Sequence, residues 1–317
     1  DAKMVQEIVD MLFSFGELGF QEFETQRYLT GILEDHGFEI EIGVAGMPSA
    51  WTARWSNGSG SPVIALGSDV DGIPQSNQKP GVAYRDPILS MAPGHGEGHN
   101  SGQAVNIVAA LNVKELMERE NIDGTLMIWP GIAEEQLGSK AFFVRDGVFD
   151  GVDVNLFTHV SSNFSVTWGH TSGNALVSAQ FRFTGETAHS AGSPWRGRSA
   201  LDAIMLLAQA WEYKREHLRP PQRSHYIIVE GGDQPNVVPQ TATIWFYFRE
   251  VDYARVIEMY DADSHQQLSR ADFLKILRNV EAYVFRRAIC GVPSNSLGKT
   301  FANLSGDLDK SDYSESL

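Results

Sequence analysis

Apolar residues recur along the first half of the chain at two spacings. Over residues 5–15, and again over 25–36, they return about every 3.6 positions, which predicts two amphipathic helices. Pro62-Val63-Ile64-Ala65-Leu66-Gly67 is instead a continuous apolar run closed by glycine, the pattern of a buried strand. A helix is predicted from about Gln103 to Glu120, apolar at Val105, Val108, Ala109 and Leu116, with Asn100-Ser101 as its cap. After Gly124, the run Thr125-Leu126-Met127-Ile128-Trp129 predicts a second buried strand. Residues 141–145 read as helical, and Val154-Asn155-Leu156-Phe157-Thr158 as a third strand. Strand and helix in alternation predict an α/β fold, a largely parallel sheet with helices on both faces.

The pattern changes after about Gly173. Residues 174–183 alternate in part, as a long strand would, and a helix is predicted from Ser199 to about His217. Two further strands, 226–229 and 241–248, flank the turn-rich Gly231-Gly232-Asp233-Gln234-Pro235-Asn236. Strands without parallel crossovers, plus one helix, predict a small α+β insert. The pattern shifts again from about Val256. Phe273, Leu274, Ile276, Leu277, Val280, Tyr283 and Val284 mark an amphipathic helix, and the Ser/Asn/Asp/Gly-rich stretch after Gly291 reads as loosely ordered. The chain thus divides at about 170/171 and 255/256.

Composition narrows the function. The 317 residues carry a formal net charge of -15, which disfavours a general nucleic-acid or anionic-membrane binder because like charges repel. No apolar run approaches the roughly 20 residues that span a bilayer. The single cysteine, Cys290, excludes an internal disulfide scaffold and an all-cysteine metal site. The start, Asp1-Ala2-Lys3-Met4, has neither an initiator Met nor a secretory pattern, so the natural beginning is expected upstream and the compartment is expected to be cytoplasmic.

Three segments concentrate candidate ligands near predicted strand ends: Gly94-His95-Gly96-Glu97-Gly98-His99-Asn100, then Glu134-Glu135, then Thr158-His159. Ligands collect at the carboxyl ends of strands in open α/β sheets, and a divalent ion needs imidazole nitrogens and carboxylate oxygens from several loops. Glycines beside Glu97 and His99 let both side chains turn toward one point. Adjacent Glu134 and Glu135 cannot point the same way on an extended backbone, so one can bind metal while the other serves as a general base. Asp69 and Asp71, beyond the first strand, could orient a ligand imidazole. Each piece has a plainer reading. The glycines faintly imitate a dinucleotide loop, Glu134-Glu135 could be a solvated pair, and His159 could be a satisfied structural histidine. Their conjunction at three strand ends favours metal.

The pattern resembles the two-metal aminoacylase and carboxypeptidase superfamily, in the amidohydrolase branch that includes p-aminobenzoyl-glutamate hydrolase subunits. Residues 67–74, 93–100, Glu134-Glu135, 187–195, 197–203 and 231–239 carry the resemblance, which spans about Phe13 to Arg255. It implies a metal-binding catalytic domain (1–170) and an inserted lid and dimerisation domain (171–255). It implies two divalent ions, manganese or zinc, held by Glu97, His99, Glu135 and His159. Glu134 would be the general base that moves a proton from water to the leaving amine. His189 would reach the partner subunit's active site in a homodimer and polarise the scissile carbonyl, and Asn236 and Arg249 would hold the substrate, a small N-acyl or aryl-amide amino-acid conjugate.

Two departures from the branch stand out. Glu97 occupies a position where the branch commonly has Cys, and a harder carboxylate favours manganese over zinc. The branch also carries a final histidine ligand on a closing segment, and His265 has no such motif around it. Residues 260–317 instead resemble a helical segment of modification-dependent restriction endonuclease relatives, so a gene junction near Arg255 is an expectation. Acidic residues outnumber basic ones there as well, which gives no nucleic-acid footprint. The alternative to an active hydrolase is then an incomplete chimera that only binds metal or dimerises.

Overall fold

The computed structural model describes residues 1–136, 138–168 and 175–260, with the backbone alone for 258–260. It divides into two compact units, Asp1–Ser165 and Val166–Leu317.

The first unit holds a five-stranded sheet of β1 (Glu39–Ile42), β2 (Trp51–Asn57), β3 (Val63–Asp69), β4 (Gly124–Gly131) and β5 (Val154–Phe157), in the order β1-β2-β4-β3-β5. β3 lies parallel to both β4 and β5, while β2 is antiparallel to β4 and to β1. Only β2 therefore runs against the common direction, and the sheet is mostly parallel, as expected.

Four helices accompany it: α1 (Ala2–Phe15), α2 (Phe23–Asp35), α3 (Gly102–Glu120) and α4 (Lys140–Arg145). Successive strand residues face opposite ways. Gly67 leaves room for the Trp129 ring, which meets Phe143 of α4 edge-on. Ser68 points to the other face, where a Cβ on Gly102 would come within 1.8 Å of its hydroxyl. α3 and α4 thus cover opposite faces. Ile8 and Leu12 of α1, Leu29 and Leu33 of α2, and Ile107 of α3 are fully buried with Ala65, Met127 and Ile128 of the sheet.

Two strands and one cap differ from the expectation. The sequence pattern does not predict β1 or β2: β1 has only four residues and is largely exposed, so its alternation is too short to register. Ser101 does occupy the N-cap of α3, but its hydroxyl donates to the Gly98 carbonyl at 2.9 Å instead of accepting from the helix.

The second unit combines strands and helices as an α+β arrangement. β6 (Ala175–Thr184), β7 (Arg223–Glu230) and β8 (Thr241–Glu250) form an antiparallel sheet with β8 in the centre. α5 (Ala200–Arg215) and α6 (Tyr253–Tyr260) pack on it. Ser199 caps α5 by accepting the Asp202 amide at 3.1 Å. Ile204, Leu207 and Trp211 of α5 are buried with Ala242, Ile244, Phe246 and Phe248, the inward-facing alternate residues of β8. The amphipathic segment 273–284, His265 and the tail after Gly291 lie outside the described residues. Among the described residues no helix is long and apolar enough to cross a membrane.

Candidate metal centre

The loops that follow β3, β4 and β5 leave the sheet at the same edge because these strands are parallel. Buried polar side chains hold that edge in register. Gln103, with no exposed surface, donates its amide to the carbonyls of Ser68 (3.1 Å) and Trp129 (2.7 Å), tying β3 to β4. Thr158 is held three ways. Its amide donates to Gly67 at 3.0 Å, its carbonyl accepts the Ser68 hydroxyl at 2.7 Å, and its own hydroxyl donates to Asn106 at 3.1 Å. His159 follows directly.

Glu97 and His99 approach from the glycine-rich loop. Gly98 between them has φ 107°, which an L side chain rarely adopts, so the sharp turn expected there is present. His99 is buried. Its Nδ1 lies 3.1 Å from the Asp71 backbone carbonyl and 3.4 Å from the Asp71 carboxylate. Its Nε2 lies 3.2 Å from Nε2 of His159, with the rings edge-on. The two oxygens of Glu97 stand 3.6 Å from these two nitrogens, one each. Two overlapping sets of donor atoms result, Asp69 with His99 and His159, and Glu97 with His99 and Glu135, each within 4.8 Å.

Asp71 thus sits where a residue orienting His99 should be, and its carboxylate also accepts the Glu135 amide at 3.0 Å. Asp69 differs from a simple orienting role. It lies 3.9 Å from His159 within a candidate donor set and is ion-paired with Lys140 at 2.7 Å. Glu134 and Glu135 stand on a 3-10 turn, Glu134–Gln136, and not on an extended chain. With about three residues to a turn, adjacent positions on it are set roughly 120° apart.

The crowding of carboxylates shapes their protonation. Hydrogen bonding to Glu135 holds Glu97 below its usual range. Burial, then the same bond, pushes Glu135 up to about 8. Burial works against charge on His99, but the Asp71 hydrogen bond and the nearby charges of Asp69, Asp71 and Glu97 prevail and raise it to about 9. Burial also raises Asp69 against the pull of Lys140. A mixed imidazole and carboxylate donor set converging from three loops fits a divalent ion.

The three remaining predicted residues belong to the second unit. His189 is exposed, and its Nδ1 accepts the amides of Ala191 (3.2 Å) and Gly192 (3.0 Å). In the neutral ring the proton therefore sits on Nε2, which leaves a donor available. His189 bridges Val237, and Ser190 donates to the Asn236 carbonyl at 3.0 Å, so His189 and Asn236 are neighbours. Arg249 is not beside them. It lies near the far end of β8, about 25 Å from the start of that strand at ~3.3 Å per residue, over the Tyr247 ring at 5.7 Å. Sequence reasoning missed Gln103, Lys140 and Glu22, whose roles depend on contacts between distant segments.

Comparison with known proteins accords with this architecture. Residues 172–270 match the peptidase dimerisation domain of the M20 family, and the match runs past Arg255, where the family resemblance was expected to end. Over 262 residues the chain is 35% identical to a subunit of the p-aminobenzoyl-glutamate hydrolase of Escherichia coli (strain K12), covering 82% of this chain and 54% of that protein. It is 27% identical over 243 residues to Xaa-Arg dipeptidase of Mus musculus, covering 75% and 53%. The chain spans about half the length of these curated relatives. Among solved structures, an aminobenzoyl-glutamate utilization protein from Klebsiella pneumoniae superposes with a TM-score of 0.58 at 18% identity, over 89% of this chain and 73% of that one. A dinuclear metal-binding peptidase of the M20 family from Bacillus subtilis superposes with a TM-score of 0.55 at 20% identity, over 88% and 72%. The chain is thus similar to a p-aminobenzoyl-glutamate hydrolase subunit over about half of that protein's length, carries a match to the M20 dimerisation domain, and has the fold of M20 peptidases.

Proposed function

We propose that this chain is a metal-dependent amidohydrolase that cleaves the amide bond of a small N-acyl or aryl-amide amino-acid conjugate, p-aminobenzoyl-glutamate being the leading candidate. The convergence of Glu97, His99, Glu135 and His159 from three separate loops carries this reading. Those four residues would hold two divalent ions, with Asp71 orienting His99 and Asp69 close enough to His159 to assist. Bound ions would supply Lewis-acid polarisation of the scissile carbonyl.

The protein's own groups then divide the work. Glu134, next to the ligand Glu135 on the same turn, takes a proton from the attacking water and delivers it to the departing amine nitrogen. His189 of the lid domain (171–255) would donate from Nε2 to the oxygen that becomes negative, as part of a homodimer in which it serves the partner's site. Asn236, its neighbour, would contact the substrate near that carbonyl. Arg249 would bind a substrate carboxylate through its planar fork, away from His189 and Asn236 within its own subunit. Glu97 favours manganese over zinc, and a single cysteine suits a reducing, cytoplasmic setting.

The test is release of p-aminobenzoate from p-aminobenzoyl-glutamate by chelated protein reloaded with manganese or zinc. Activity should require metal, and Glu134→Ala should lower kcat by about 10²- to 10⁴-fold. Full activity in Glu134→Ala, or no metal uptake, would refute the reading. Metal uptake without turnover would favour the incomplete-hydrolase alternative.

A further inference from the structure

We infer that Glu22 is a positioning residue that sets the catalytic turn carrying Glu134, an inference that rests on the hydrolase reading above. Glu22 is 1% exposed and is distant in sequence from that turn. One carboxylate oxygen accepts the Ala133 amide at 2.7 Å, and the other accepts the Ser49 hydroxyl at 2.7 Å. A buried carboxylate must have its lone pairs satisfied, and here both of these partners are neutral protein donors.

Ala133 is the hinge of the turn. It has φ 48°, the left-handed region that residues with a Cβ avoid, and such a conformation persists only where surrounding contacts impose it. Its amide is held by Glu22, and its carbonyl accepts the amides of Gln136 (3.1 Å) and Gly138 (2.7 Å). On the other side, Asp71 accepts the amide of Glu135 at 3.0 Å. Glu134 therefore hangs between two backbone amides, each pinned by a carboxylate from a different loop. Gly19, in the loop leading to Glu22, lies directly against Ala133, where a Cβ would come within 2.7 Å of its Cα. Entry to α2 and the catalytic turn are thus built on each other.

A merely structural role would affect folding alone, whereas a positioning role affects the turn and acts through Glu134. Three variants separate these: Glu22→Gln, which keeps an acceptor for Ala133; Glu22→Met, which removes it at similar size; and Glu22→Asp, a milder shortening should Glu22→Met fail to fold. Two readouts are needed. The first is hydrogen exchange of the 132–138 segment in the full chain. Exchange should speed up in Glu22→Met or Glu22→Asp and return to the parent rate in Glu22→Gln. Unchanged exchange overturns the inference, whether or not the protein is a hydrolase.

The second readout is kinetics on p-aminobenzoyl-glutamate. kcat should fall by about 10²-fold in Glu22→Met with KM little changed and metal content preserved. Glu22→Gln should recover most of it. Glu22→Met added to Glu134→Ala should cost nothing further, because both changes remove the same function. A multiplicative loss in the double variant would overturn the inference. If the parent loads metal but hydrolyses nothing while exchange responds as expected, the hydrolase reading falls and the hold of Glu22 on the turn stands.

Discussion

At the scale of single residues, burial and neighbouring charges raise the proton affinity of Glu135 and His99. Glu135 rises from 4.5 to about 8 and His99 from 6.5 to about 9 in the metal-free protein. The folded state then binds one proton more than the unfolded state on Glu135 between those values, and likewise on His99. Stability falls with rising pH wherever the folded state holds more protons. Metal-free protein should therefore lose stability as pH is raised from about 6.5 to 8, the window where both shifts act together, and less steeply from there to 9, where only His99 acts. A cation competes for the same lone pairs, so its affinity should rise over that window by about tenfold per pH unit for each proton released. Calorimetric melting in chelator across this range, with metal titrations alongside, checks both. A Tm that climbs through the window would show that Glu135 and His99 are not raised in the folded chain.

At the scale of elements, the site depends on how closely α3 meets β3. Gly102→Val would drive a side chain into the Ser68 hydroxyl, which itself holds Thr158 ahead of His159. The expected result is a clear loss of Tm together with weakened metal binding. Gly31, in the middle of α2, is the opposite case, since a Cβ there would meet nothing within 4 Å. Gly31→Ala should stabilise the protein by about 0.5–1 kcal/mol through helix propensity and leave metal binding unchanged. Denaturant unfolding of the two variants, paired with metal titration, separates helix propensity from site geometry. The buried strands β3 and β4 are legible because continuous apolar runs bounded by glycine have few other solutions. β1 and β2 are not, because β1 is short and exposed and the pairing of β2 with β4 is a long-range event. The turn of Glu134 reads as extended in the linear chain, since its shape is imposed on Ala133 and Glu135 by Glu22 and Asp71 from elsewhere.

At the scale of the whole molecule, the dimerisation domain bears on where the site is completed. If His189 serves the partner subunit, Glu134→Ala and His189→Ala chains are each inactive alone but share one intact site in a mixed dimer. Mixing them in equal amounts after dissociation should restore about a quarter of the parent activity, as random pairing in a two-fold dimer requires. Light scattering should find a dimer in the parent, and absence of complementation in a confirmed mixed dimer would place His189 in its own subunit's chemistry or outside it.

The linear chain by itself determined which donors were present and which strands they follow. Glu97, His99, Glu134, Glu135 and His159 are legible because local glycines and strand ends bring out their chemistry, and the parallel sheet then carries their loops to one edge. Only the tertiary structure decided how those donors are held. Gln103 bridging two strands, Lys140 on Asp69, and Glu22 on Ala133 are contacts between segments far apart in sequence. A glutamate in a linear sequence reads as solvated. Burial at the start of α2, between two neutral donors, turns Glu22 into a fixed acceptor, and burial is a property that only the folded chain possesses.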